Sequence, residues 1–245
     1  MKRKVHLVSL GDGLSPIPGN FTLKGHIYDV LREAILSMDI YDDDADLRLD
    51  ERGIAEKLGI SRTPVRDAFA KLEQEGFVEI QPRKGVFIVR KSLNEVLDMI
   101  VVWAALESMA ARLATERASD DEFRTLRKFA MKHSQHAARA ELEEYSDANI
   151  KFHQQILDLS QCKLLRTSAD GLFQHMHAVR RRAMGENDRA KRSVVDHMEI
   201  IEALESRDAD LSSKLVREHT MRLHDHVRRR WSKLEYVTQM KTMVG

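Results

Sequence analysis

Only one cysteine, Cys162, occurs in the 245 residues. A lone thiol excludes both an intramolecular disulfide and a multi-cysteine zinc site, and it fits a reducing compartment. Proline (4) and glycine (11) are scarce, so the chain is neither collagen-like nor low-complexity, and long helices are permitted. No stretch approaches the roughly 18 consecutive apolar residues of a membrane helix, and the basic start Met1-Lys2-Arg3-Lys4 lacks the apolar run of a secretory signal. The chain therefore reads as soluble and cytoplasmic, with no membrane partner. Neither charge prevails: 40 basic residues meet 39 acidic ones, so any attraction to nucleic acid must come from a local patch.

What is present is a folded, helix-rich composition, 42% apolar and 32% charged, long enough for two modest domains of about 100–200 residues or less. Residues 1–20, with Gly11, Gly13, Pro16, Pro18 and Gly19, read as a flexible arm. From Phe21 to Met38 the stripe Leu23, Ile27, Leu31, Ile35 and Met38 marks an amphipathic helix. The acidic run Tyr41–Asp46 interrupts it. Leu49-Asp50-Glu51-Arg52 opens a short helix that runs through Leu58 and stops at Gly59. Ser61 is placed to cap the next helix, with Pro64 in its first turn, Val65, Phe69, Leu72 and Phe77 on its buried side, and Gly76 as its C-cap.

Two helices joined through Leu58-Gly59-Ile60 make a helix-turn-helix, since glycine permits the tight turn and Ile60 can plug the space between the helices. The second helix exposes Ser61-Arg62-Thr63-Pro64-Val65-Arg66 at its start. Free backbone N–H groups, hydroxyls and two arginines there suit phosphates and guanine edges. Val78–Ile80 and Val86–Val89 then read as strands of a hairpin around Gln81-Pro82-Arg83-Lys84-Gly85, whose basic tip can reach a minor groove. Each feature alone is as well explained by a solvated helix start or an ordinary turn. Their order within about forty residues is the signature of DNA binding by a winged helix-turn-helix over residues 21–90.

Asp50-Glu51-Arg52, Ile54-Ala55, Leu58 to Arg66, Leu72, Glu75-Gly76 and Arg83-Lys84-Gly85 together resemble the GntR regulators. The resemblance implies that Arg52, Arg62 and Arg66 contact operator bases or phosphates, Thr63 a phosphate, and the wing around Gly85 the minor groove; Ser61, Pro64, Arg83 and Lys84 complete the expected DNA face. One departure is the acidic run from Asp42 to Asp46, where the family has a Pro-Gly turn.

Past Lys91 the strand pattern ends. Ser92 and Glu95 have capping-box spacing, and Leu97, Ile100, Val101, Ala104, Glu107, Ser108, Ala111 and Leu113 continue a long helix. Breaks at Ser119–Glu122, Gln161-Cys162, Gly185–Asp188 and Ser206–Asp210 divide the rest into about six helices. The fold class is mainly α: a winged helix-turn-helix followed by an all-α antiparallel bundle over residues 91–235, with a C-terminal tail at 236–245. Asn149 and His153 lie one turn apart on one helix face, and His197 and His219 lie on two later helices. Imidazoles with an amide oxygen suit Zn, Ni, Mn or Fe, although spacing alone favours surface or core histidines.

Phe152-His153, Asp196-His197, Ile200-Ile201, Ala203-Leu204, Asp208-Ala209-Asp210 and Glu218-His219 resemble the FCD ligand-binding domain of the FadR-like GntR branch. The resemblance implies a divalent metal held by His153, His197, His219 and a residue one turn before the first. That fourth residue is Asn149 in place of an aspartate, an oxygen donor without charge. A second departure is Trp103, which stands four residues before Glu107 where many FCD regulators have an arginine. Trp103 can line an apolar or aromatic pocket or simply pack between helices. His175, His177 and Arg180 or Arg181 are candidates for replacement polar contacts, so Trp103, His175 and Arg180 form the expected effector pocket, for an organic acid or an aromatic metabolite. The runs Arg180–Arg182 and Arg228–Arg230 read as solvated faces or bundle salt bridges.

The expected function is that of a non-enzymatic regulator, a ligand-responsive repressor that binds double-stranded operator DNA as a homodimer on a palindrome. Two rivals come from other classes. A metal hydrolase built on His153, His197 and His219 lacks a placed nucleophile or general base, and a helical scaffold leaves Arg62, Arg66 and Arg83 without purpose.

Overall fold

A computed structural model describes the backbone of residues 23–42, 44–138, 142–183 and 187–244, with side chains described outside 23–24, 133, 135–147, 177–190, 230 and 232–244. The arm expected at 1–20 lies outside the described residues. The chain divides into two compact units between Lys91 and Ser92.

The first unit contains α1 (Leu23–Ser37), β1 (Arg48–Leu49), α2 (Glu51–Leu58), α3 (Arg62–Gln74), β2 (Val78–Gln81) and β3 (Gly85–Ile88). The α1 stripe forms the core, with Ile27, Leu31 and Ile35 buried beside Val65, Phe69 and Leu72 of α3. Asp50 caps α2 by accepting from the Arg52 N–H. Gly59 ends α2 in the left-handed conformation (φ 67°), while the Ile60 N–H returns to the Ala55 carbonyl at 3.1 Å. That closure of the last turn is one glycine adopts without steric cost. It turns the chain tightly enough for α3 to follow after one extended residue, Ser61.

Three local expectations change. Ser61 occupies the N-cap position of α3, but its hydroxyl makes no capping bond. The C-cap of α3 is Glu75, and Gly76 follows it at φ 76°. Leu49, expected at the start of a helix, lies in β1 and pairs antiparallel with Val86, giving a three-stranded sheet of order β1-β3-β2. A two-residue strand is too short to show alternation in sequence. In the wing, Gln81 pairs with Gly85, and the Lys84 N–H closes the turn on the Gln81 carbonyl at 3.1 Å. Arg83 sits at φ 65° behind Pro82, a place where glycine is usual and a side chain costs on the order of 1 kcal/mol.

Among the described residues the second unit has six helices: α4 (Leu93–Arg117), α5 (Asp120–Ala138), α6 (Leu142–Leu159), α7 (Lys163–Ala183), α8 (Asn187–Glu205) and α9 (Ala209–Val244). The capping box at Ser92 and Glu95 is formed in both directions. Helix α9 continues through the segment set apart as a tail at 236–245, to Val244. Cross-helix pairs give the directions. Glu107–Thr220, Ser108–Ser213 and Arg112–Asp210 run α4 antiparallel to α9. Glu107–His153 and Arg117–Ser160 run α4 parallel to α6. The α4–α9 seam is lined by small residues, Ala104, Ser108, Ala111 and Thr115 against Ser212 and Val216, all buried. Small side chains let two backbones approach closely, and α4 thereby serves as the wall behind the polar centre of the bundle.

Gly171 lies exposed inside α7, and a Cβ there would meet nothing within 4 Å. Gly171→Ala is expected to stabilise the protein by about 0.5–1 kcal/mol through helix propensity alone. A urea titration of the two proteins checks this, and an unchanged or lower midpoint would contradict it.

Candidate DNA-reading face and metal centre

On the first unit, Ser61, Arg62, Thr63 and Arg66 are exposed at the start of α3, Pro64 is half-buried beneath them, and Arg83 and Lys84 are exposed on the wing tip. The burial of Val65, Phe69 and Leu72 sets this orientation, because it turns the opposite face of α3 outward. Arg62 and Arg66 lie one turn apart and converge on Glu51, the first residue of α2. Arg62 Nε donates to Glu51 Oε1 at 2.5 Å, and Arg66 Nε donates to Oε2 at 3.0 Å. Burial alone would raise the Glu51 carboxyl, but hydrogen bonds and charge from Arg66 and Arg62 hold it below the usual range. Arg52 points elsewhere, donating to Glu56 at 2.8 Å within its own helix. At the hinge of the wing, Gly85 (φ 122°) passes Arg48, whose Nε would lie 3.4 Å from any Cβ placed there.

In the second unit the structure brings together all four residues expected at a metal. Asn149, His153, His197 and His219 are 1–7% exposed, and one ring nitrogen from each of the three histidines lies within 4.8 Å of the others. Helix α6 contributes Asn149 and His153, α8 contributes His197, and α9 contributes His219. Phe152 stacks on His197 with ring centroids 4.0 Å apart, and Trp103 stands edge-on to His153 at 5.4 Å. Ser193, one turn before His197, donates to Asn149 Oδ1 at 3.2 Å and lies 3.4 Å from His197 Nε2.

The carboxylates behind the rings set their protonation. His153 Nδ1 contacts Glu107 Oε1, and His219 Nδ1 contacts Asp196 Oδ2 at 3.0 Å. An ionised carboxylate only accepts, so the His219 Nδ1 that faces Asp196 carries the proton and its Nε2 is turned inward, toward His153 Nε2. Those two Nε2 atoms face each other at 3.3 Å. Burial pushes His219 down to about 4, against the opposing pull of Asp196, so this ring is neutral at pH 7 and offers a lone pair. Asp196, which burial would raise, is held low by His219 and Arg222. Ring nitrogens therefore line the space between the three histidines. A separation of 3.3 Å matches the nitrogen–nitrogen edge expected for tetrahedral bonds of about 2.0–2.1 Å, and three imidazoles with an amide oxygen form a donor set that fits Zn or Ni.

Glu107 is the acid beside His153. It is fully buried, accepts from Thr220 Oγ1 at 3.0 Å and contacts His153. A buried polar group is costly unless hydrogen-bonded, and here the Thr220 hydroxyl and the His153 ring supply the partners. Sequence reasoning used Glu107 and Asp196 only as landmarks. The missed signal was a glutamate on the apolar side of α4, between Ala104 and Ala111.

A small cleft lined by Phe129, Ala130, Ala148, Phe152, Val194 and Met198 reaches Asn149 and His197 from the outside. Of the residues expected at an effector pocket, Trp103 is buried between His153 and Phe173 (4.8 Å) and His175 is half-buried. The side chains of Arg180, His177 and Arg181 lie outside the described residues. No described helix is long and apolar enough to cross a membrane.

Comparison with known proteins bears on both units. The gntR family of bacterial regulatory proteins matches residues 23–88, and the FCD domain matches residues 98–222. The chain is 25% identical over 217 residues to the HTH-type transcriptional regulator YdfH of Escherichia coli, covering 88% of this chain and 92% of that one. It is 25% identical over 182 residues to the HTH-type transcriptional repressor RspR of Escherichia coli, covering 74% and 79%. Among solved structures, Escherichia coli McbR/YncC shares the fold with a TM-score of 0.70 at 18% identity, over 86% of this chain and 99% of that one. The relatives are DNA-binding regulators and not enzymes, which disposes of the hydrolase and scaffold alternatives. The chain belongs to the GntR family of transcriptional regulators, in the group that joins a gntR helix-turn-helix domain to a C-terminal FCD domain.

Proposed function

We propose that this regulator is a repressor that binds a palindromic operator as a homodimer and releases it in response to an effector sensed at a divalent metal held by Asn149, His153, His197 and His219. The observation that carries the metal reading is the convergence of one ring nitrogen from each of the buried His153, His197 and His219 within 4.8 Å of one another. When bound, a Zn or Ni ion supplies a Lewis-acidic position for an oxygen or nitrogen of the effector. The chain's own residues do the rest. Glu107 and Asp196 orient the rings of His153 and His219, Phe152 and Trp103 hold the rings in place, and Asn149 contributes an oxygen without adding negative charge. With no anionic ligand in the set, the ion keeps its full charge, which favours an effector with an anionic or strongly polar head. The apolar walls of Phe129, Phe152 and Met198 suit an organic acid or aromatic metabolite with a hydrophobic body.

On the output side Arg62, Thr63 and Arg66 read the major groove, and Arg83 to Gly85 follow the backbone or minor groove. One short helix reads too few base pairs for genomic specificity, which is the reason for two copies on a palindrome. The name of RspR as a repressor supports repression here.

Arg62→Ala and Arg66→Ala are each expected to weaken binding to a selected duplex about tenfold to more than a hundredfold, with relaxed preference at the base each one reads; normal footprints from both would refute the reading face. Elemental analysis of purified protein should find about one equivalent of transition metal per chain, and His197→Ala should remove it while sparing operator binding in the absence of effector. Loss of effector response must accompany loss of metal; a response that survives chelation would overturn the sensor reading. Asn149→Asp adds a charged ligand and is expected to raise metal affinity about 10–100-fold in competition titrations, the scale on which such site residues act.

A further inference from the structure

One carboxylate holds both of the arginines that α3 presents to solvent. Glu51 Oε1 lies 2.5 Å from Arg62 Nε and 2.9 Å from Arg66 Nε, and its Oε2 lies 3.0 Å from Arg66 Nε. Its side chain is 20% exposed, while those of Arg62 and Arg66 are 55% and 62% exposed. With each Nε occupied, the terminal nitrogens of both guanidinium groups are the ones left to meet DNA. Both guanidinium groups are thereby tied to a single anchor. The same carboxylate also cancels half of the pair's formal charge, at the place where the headpiece would first meet a phosphate backbone.

We propose that Glu51 is a specificity-determining positioning residue: it orients Arg62 and Arg66 toward base edges and, by lowering their net charge, suppresses binding to DNA of any sequence. The physical reason is an asymmetry between the two kinds of contact. Phosphate contacts are sequence-independent and scale with net positive charge, whereas base contacts need direction. An acid that costs some phosphate attraction and fixes direction therefore widens the gap between right and wrong sequences. Surface ion pairs contribute little to stability, so the role of Glu51 is separable from holding α2 and α3 together. The inference rests on Arg62 and Arg66 being the readers.

The test uses the full-length chain, a duplex selected by it from a random pool, and a scrambled duplex. Glu51→Gln keeps the shape and one carbonyl oxygen but removes the charge. It is expected to bind the scrambled duplex about 3–10-fold more tightly, to steepen the salt dependence of that binding by up to about one in log–log slope, and to reduce the ratio of selected to scrambled affinity at least about tenfold. Glu51→Asp restores the charge with a shorter reach, so it should recover the shallow salt slope without the full base preference. In an Arg62→Ala/Arg66→Ala background the Glu51→Gln effect should vanish, as coupling through the arginines requires. An unchanged ratio and slope in Glu51→Gln, alongside loss of binding in the arginine variants, would overturn the role of Glu51 alone. Equal losses on both duplexes with a lowered melting temperature would make it a brace and overturn the proposal. Full selectivity in the double arginine variant would overturn the reader assignment together with this inference.

Discussion

Two imidazoles face each other across 3.3 Å, each backed by a buried carboxylate, and the second unit is organised around that arrangement. Helix α4 supplies Glu107, α6 His153, α8 Asp196 and α9 His219, so four of the six helices meet at one charge-sensitive point. Asp196 has Arg222 beside it at 2.9 Å. Among the described residues, Glu107 has a hydroxyl and an imidazole beside it. Removing one partner of a buried pair typically costs about 3–5 kcal/mol, a large share of the roughly 5–15 kcal/mol that holds a typical protein folded. The state of the centre and the packing of the bundle are therefore linked energetically, as a sensor requires.

The first unit uses the same chemistry at its surface, with opposite consequences. Glu51 and its two arginines are solvated enough that the interaction adds little stability, and its effect falls on direction and local field. A carboxylate in the core is a structural obligation, whereas one at the rim of a reading face can be exchanged for DNA at small cost.

The helices of both units were legible because their signals are local. The stripe Ile27, Leu31 and Ile35, the glycine at 59 and the box Ser92–Glu95 each act over a few residues, and the structure forms them where the spacing placed them. The resemblance supplied the metal set, since Asn149 and His153 are one turn apart but His197 and His219 come from helices whose register no local pattern reveals. What stayed illegible depends on long-range pairing. Strand β1 is two residues long and exists because β3 offers it an edge. The partnership of Glu107 with His153 spans 46 residues, and Glu51 reaches across a turn to residues 11 and 15 positions away. Ser61 was misread in a different way: its position was right, but its hydroxyl does not cap.

In the proposed mechanism the link between input and output runs through covalent continuity. Helix α4 begins one residue after the division between the units, fixed at its start by the Ser92–Glu95 box, and continues unbroken to Glu107 and beyond. At about 1.5 Å per residue the two points are roughly 21 Å apart along one rod. A helix transmits displacement because its hydrogen bonds resist stretching and its packed small residues leave no slack to absorb a shift. A change of charge between His153 and His219 pulls on Glu107, and α4 must either move as a body or lose a buried contact. Moving as a body keeps those contacts, and the N-terminal end of α4 is the point to which the DNA-reading unit is attached.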